Sequence, residues 1–142
     1  MEKNRIWVEK PDAEAMALRL YSNSFEDVFF LTKPVGHDAE ICIYIRKVLW
    51  IEAENNYSCL HLIDQPCVRV PINIGQIEEF LSTLPTCDFI RINRSEIINL
   101  RWLHKIEVNL VYLVGRDITF TVGKTYRKSF NEQTAAFRLV GR

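Results

Sequence analysis

The feature that most constrains this chain is a change of period near residue 40. From there the apolar residues fall in short alternating runs, 41–45, 48–53, 57–63 and 67–72, each rich in β-branched or aromatic side chains. A two-residue period buries one face of an extended backbone, so these runs predict strands. Asp64-Gln65-Pro66 between the last two supplies turn chemistry and predicts a hairpin. One stretch breaks the pattern. Asn73 is placed to cap a helix whose Ile74, Ile77, Phe80, Leu81 and Leu84 share a face, and Pro85 stops it. Further strand-like runs follow at 89–93, 103–109, 110–114 and 118–122, the last two joined by Gly115-Arg116-Asp117.

The expected fold is therefore mainly β: small antiparallel sheets of short strands with one short internal helix. An N-terminal helical appendage is expected over 12–24, where Asp12 follows Pro11 and Ala13, Met16 and Leu20 recur at helical spacing. The chain divides into a partly helical extension, 1–37, and a domain, 38–142. With 142 residues in all, one domain plus a short appendage is what the length accommodates.

Several function classes drop out. The charged N-terminus lacks the apolar stretch of a signal peptide, and no run of 18 apolar residues occurs, so no membrane partner is expected. Cys42, Cys59, Cys67 and Cys87 form no C-x-x-C pair, and Cys42 and Cys59 sit in alternating apolar runs. They read as reduced core residues of a cytoplasmic protein. No phosphate-binding glycine loop, nucleophile elbow or H-E-x-x-H is present. His37, His61 and His104 are scattered, and Glu52 with Glu54 has no cationic or nucleophilic partner nearby in sequence. The reading is not an enzyme, with no cofactor and no metal.

What remains is a distribution of charge. The 18 Lys+Arg and 18 Asp+Glu cancel, but residues 1–90 hold 8 and 14 while residues 91–142 hold 10 and 4. Two of three conspicuous blocks, 89–106 and 118–130, lie in or across the basic part; the third is 48–62. In the second block Arg91 and Asn93 alternate with Ile90 and Ile92, which predicts a polar outer face leading to Arg94 and Ser95 at a turn. The last block leaves its strand at Gly123 and presents Lys124, Thr125, Tyr126, Arg127 and Lys128 on an exposed connection. Such side chains contact phosphates and base edges, and a solvated charged face is the alternative at this point.

These blocks resemble the LytTR DNA-binding family, the output domain of many bacterial response regulators. The family's I-x-Y-I-E-A-x-x-N-Y is matched by Leu49, Trp50, Ile51, Glu52, Ala53, Asn56 and Tyr57. Its F-x-R-I-H-R-S-x-I-V-N is matched by Phe89, Arg91, Ile92, Arg94, Ser95, Ile97 and Asn99, with Asn93 in place of His. The resemblance spans about residues 38–138. It implies DNA contacts near Trp50, at Asn93 and Arg94, and after Val122, made by loops entering successive major grooves without a recognition helix. Where the family reads V-S-R-R-Y, this chain has Val122, Gly123, Lys124, Thr125 and Tyr126, so two arginines have become Lys and Thr. Thr cannot fork onto guanine as Arg does, so base preference there is expected to differ.

The expectation is a transcription regulator that binds double-stranded DNA sequence-specifically, as a homodimer or as two copies on repeated half-sites. Asn93 and Arg94 read bases, and Arg91, Lys124, Arg127 and Lys128 hold phosphates. Asn56, Tyr57 and Ser95 support or extend the contacts, and Trp50, Thr125 and Tyr126 are DNA-binding positions that the resemblance implies. The roughly 40 residues before the match are too short for a receiver, so a standalone domain controlled by a protein partner through residues 12–30 is expected. The competing reading is an interaction module of the same fold with weakened or lost DNA binding.

Overall fold

The computed structural model describes residues 28–84 and 88–140. The expected N-terminal helix and the Pro85 stop lie outside the described residues. Among the described residues ten strands form three antiparallel sheets. The largest has five: β3 (Val48–Glu54), β4 (Tyr57–Leu62), β5 (Val68–Val70), β6 (Phe89–Asn93) and β7 (Glu96–Asn99), in the order β5-β4-β3-β7-β6. Strands β1 (Phe29–Thr32) and β2 (Ile41–Tyr44) make a two-stranded sheet. Strands β8 (Leu103–Glu107), β9 (Leu110–Leu113) and β10 (Thr119–Thr121) make a three-stranded one. The mainly β expectation holds, as does the hairpin across 64–66.

The central strand β3 shows how the layers arise. Val48, Leu49, Trp50 and Ile51 are all buried, and Glu52, Ala53 and Glu54 are only half-buried. A strand covered on both faces needs a continuous apolar run, and the run stops where one cover stops. On one face Ile51, Leu60, Val68, Val70 and Ile97 meet Ile41 and Ile43 of β2, together with α1 (Ile74–Leu81). Asn73 caps that helix through a reciprocal pair: its Oδ1 accepts the Gln76 N–H at 2.9 Å, and the Gln76 side chain accepts the Asn73 N–H. Helix α1 ends at Leu81, short of the predicted Leu84. On the opposite face Trp50, Ile90, Ile92 and Ile98 meet Val111, Leu113 and Phe120 of the three-stranded sheet, Val122 just after it, and Phe130 of α2 (Arg127–Thr134). This second cover reaches only part of the face.

Asn99 bridges the two cores. It is 1% exposed; its Nδ2 donates to the Val48 carbonyl at 2.8 Å and its Oδ1 accepts the Arg101 N–H at 3.0 Å. Three features escaped the sequence reading. Strand β1 falls in the segment assigned to the extension, and Phe30 packs against the first core. Strand β7 pairs with both β3 and β6. Helix α2 takes up much of the exposed connection expected after residue 123, a second helix among the described residues.

Candidate nucleic-acid interface

The turn between β6 and β7 carries Arg94 and Ser95, both exposed. Its backbone is held from several directions. Asn93 Nδ2 donates to the Glu96 carboxylate and to the Thr121 carbonyl, each at 2.9 Å, while its Oδ1 accepts the Ser95 N–H at 2.8 Å. The Arg91 guanidinium donates to the carbonyls of Asn93 (3.3 Å) and Arg94 (2.7 Å) and to the Glu78 carboxylate on α1 (3.0 Å). The Ser95 carbonyl accepts the Ala53 N–H at 2.8 Å. Arg91 and Asn93 thus brace this turn from within the protein, and the Arg91 guanidinium keeps two of its five N–H donors beyond these three bonds. The Arg94 side chain makes no hydrogen bond or ion pair to the described residues.

The second element starts where β10 ends. The Gly123 N–H donates to the Ile92 carbonyl at 2.7 Å, which lays this segment against the β6–β7 turn. A Cβ on Gly123 would stand 3.5 Å from the Asn93 Cβ, an ordinary contact. A 3-10 turn, Lys124–Tyr126, then runs into α2. Lys124, Thr125 and Lys128 are exposed, Tyr126 packs on the second core, and Arg127 Nε donates to the Val122 carbonyl at 3.3 Å. The cations after Val122 therefore ride a helical start and not a loop. No acidic residue occupies the first turn of α2 and no side chain caps it; the 3-10 turn leads directly into it, the Arg127 N–H donating to the Lys124 carbonyl.

The third element is the β3–β4 turn. Asn55 adopts φ 59°, a left-handed conformation that Asn tolerates better than most residues, and Asn56 is exposed beside it. Tyr57 is 39% exposed, with the Arg69 guanidinium carbon 5.0 Å from its ring centroid. Arg69 also pairs with Glu54 at 3.0 Å. An open cleft of about 860 Å³ runs between this turn and the β6–β7 turn, bordered by Glu54, Asn55, Arg69, Arg94 and Ser95.

Trp50 does not belong to this surface. It is 6% exposed, stacked on His61 with ring centroids 3.9 Å apart and edge-on to Phe120. His61 and Phe120 thus enclose the side chain that the resemblance puts beside DNA. Sequence reasoning missed Arg69 and Glu78. The outward direction of Arg69 was legible from its place between Val68 and Val70, whereas Glu78 acts across the fold and left no local signal.

The sequence profile of the LytTr DNA-binding domain family matches residues 38–135. Among solved structures, the fold is similar to the LytTr DNA-binding domain of a response regulator from Bacillus cereus. The TM-score is 0.60 at 20% identity, covering 74% of this chain and 94% of that one. No curated protein sequence matches the chain. Among the described residues no helix is long and apolar enough to cross a membrane.

Proposed function

The chain belongs to the LytTR DNA-binding domain family, and on that premise we propose that it is a cytoplasmic, sequence-specific regulator of transcription that inserts its turns into the major groove of double-stranded DNA. The observation that carries this reading is the uncommitted Arg94 on a turn whose backbone is braced by Arg91, Asn93 and Ala53. A guanidinium held on a rigid turn loses little freedom on binding and suits the O6 and N7 acceptors of guanine. Ser95 shares the tip. Lys124, Thr125 and Lys128 approach the phosphate backbone from the start of α2, where Arg127 and Tyr126 seat the helix. Asn56 and Tyr57 contact the flanking backbone across the cleft. One domain offers a short footprint, so two copies on repeated half-sites give the specificity a regulator needs.

Selection from a random duplex pool tests the proposal. It should enrich one short motif, repeated at about one helical turn (10–10.5 base pairs). Salt titration on that motif should show a negative slope in the logarithm of affinity, set by a few phosphate contacts. Recovery of unenriched sequences, or binding that ignores salt, would instead favour an interaction module of the same fold. The observation on that side is Thr125, which stands where the family carries a base-forking arginine.

A further inference from the structure

The second core does not extend to the β4–β5 part of that sheet face, and two thiols lie there, one buried and one exposed. In the β4–β5 ladder Cys59 opposes Arg69 and Leu60 opposes Val68. Side chains alternate along a strand, so Cys67, two residues before Arg69, shares the face of Cys59 as its diagonal neighbour. The Cys67 thiol and the Glu54 carboxylate are the two groups that act on the Cys59 thiol. Cys59 is 4% exposed, whereas Cys67 is exposed. DNA binding gives this arrangement no task.

We propose that Cys59 and Cys67 are a modification site: a dithiol that hydrogen peroxide converts to a reversible intramolecular disulfide. The exposed Cys67 reacts first. Its sulfur attacks the peroxide, an O–O bond breaks, an S–O bond forms, and one water leaves, giving the sulfenic acid. The Cys59 sulfur then attacks the Cys67 sulfur; the S–S bond forms as the S–O bond breaks. The departing hydroxide and the Cys59 proton make the second water, with Glu54 placed to take that proton on the way. Two thiols and one peroxide thus become one disulfide and two waters. Burial, followed by hydrogen bonds to Glu54 and Cys67, pushes the Cys59 thiol up to about 12, so it resolves the intermediate and does not start the reaction.

The test uses the sequence to advantage. Trypsin cuts after Lys47 and Arg69, so both cysteines lie in one peptide, 48–69. The full chain is treated with hydrogen peroxide, quenched with catalase, unfolded, alkylated and digested. The expected peptide is about 2 Da lighter than the reduced form, takes up no alkylating agent, and regains both thiols with dithiothreitol. In Cys59→Ser the same treatment should leave Cys67 as a sulfenic acid that dimedone traps. A peptide with Cys67 as sulfinic or sulfonic acid and Cys59 still alkylatable overturns the proposal. So does a peptide unchanged at both cysteines, or a disulfide joining two chains through Cys67.

Discussion

Two turns lie at the same end of the five-stranded sheet, where the Ala53 N–H at the end of β3 donates to the Ser95 carbonyl of the other turn, yet they are built differently. The β6–β7 turn is braced by side chains. Arg91 and Asn93 satisfy its backbone and tie it to α1 and β10, and its own cation, Arg94, stays uncommitted. The β3–β4 turn bends through the backbone of Asn55, and the cation beside it, Arg69, is engaged by Glu54 and Tyr57. The difference separates two jobs. A cation already held by a carboxylate must break that pair before it can hold a phosphate. A cation on a rigid frame with no partner has nothing to give up, so the function proposed above puts base reading at the β6–β7 turn and flanking contacts at the β3–β4 turn.

Breaking the frame should have the largest effect. Arg91→Ala removes every bond from that guanidinium, and about 2–3 kcal/mol of stability should disappear in denaturant titration, with DNA affinity falling as well. Lys at this position should fail to restore either property, because an ammonium cannot fork to two carbonyls and a carboxylate in the same geometry. Removing the reader and leaving the frame is the next step down. Arg94→Ala should cost about 1–3 kcal/mol in DNA binding and relax preference at one base position. Its stability should stay within about 0.5 kcal/mol, since the side chain supports nothing internal. A large loss of stability in that variant would mean the turn depends on Arg94, and the contrast between the turns would fail.

Lys128→Ala examines the helical flank. Affinity should fall about equally on every duplex, and the salt slope should flatten by about one unit, as expected for one phosphate contact. A change in base preference would move Lys128 from positioning to reading. The smallest effect belongs to the first turn. Asn55→Gly suits a positive φ without a Cβ, and both stability and DNA affinity should remain within about 0.5 kcal/mol of the parent. A loss of affinity beyond that would show that the Asn55 side chain, and not only its backbone, serves the interface.

Much of the fold was legible because it is local. The alternation of the runs from 41 to 72 and the Asn73 cap are encoded within a few residues, and each formed as its pattern required. Strand β7 was harder to see. Glu96-Ile97-Ile98-Asn99 is too short and too apolar to show a period, and it becomes a strand because β3 and β6 offer edges on both sides. Helix α2 was hidden for a related reason. Arg127–Thr134 is polar almost throughout, and Phe130 and Thr134 are the residues it buries against the second core. At three of the expected contact positions the tertiary structure adds partners that no local pattern shows. Trp50, Arg91 and Asn93 sit inside the DNA-facing blocks, yet tertiary partners at His61, Glu78 and Thr121 engage them.

By itself the sequence determined the alternation that makes strands, the cap that starts α1 and the blocks that mark the family, because each depends on neighbours along the chain. It also separated an acidic first part from a basic second one. Which of those charges face outward was decided only by the tertiary structure. Arg91 and Arg101 count toward the basic part, yet Glu78 and Asp88 of the acidic part hold them at 3.0 and 2.7 Å. Formal charge adds along a chain, whereas an ion pair forms only where folding brings two side chains within a few ångströms. The cations left for a polyanion are therefore those the fold did not pair, with Arg94 foremost.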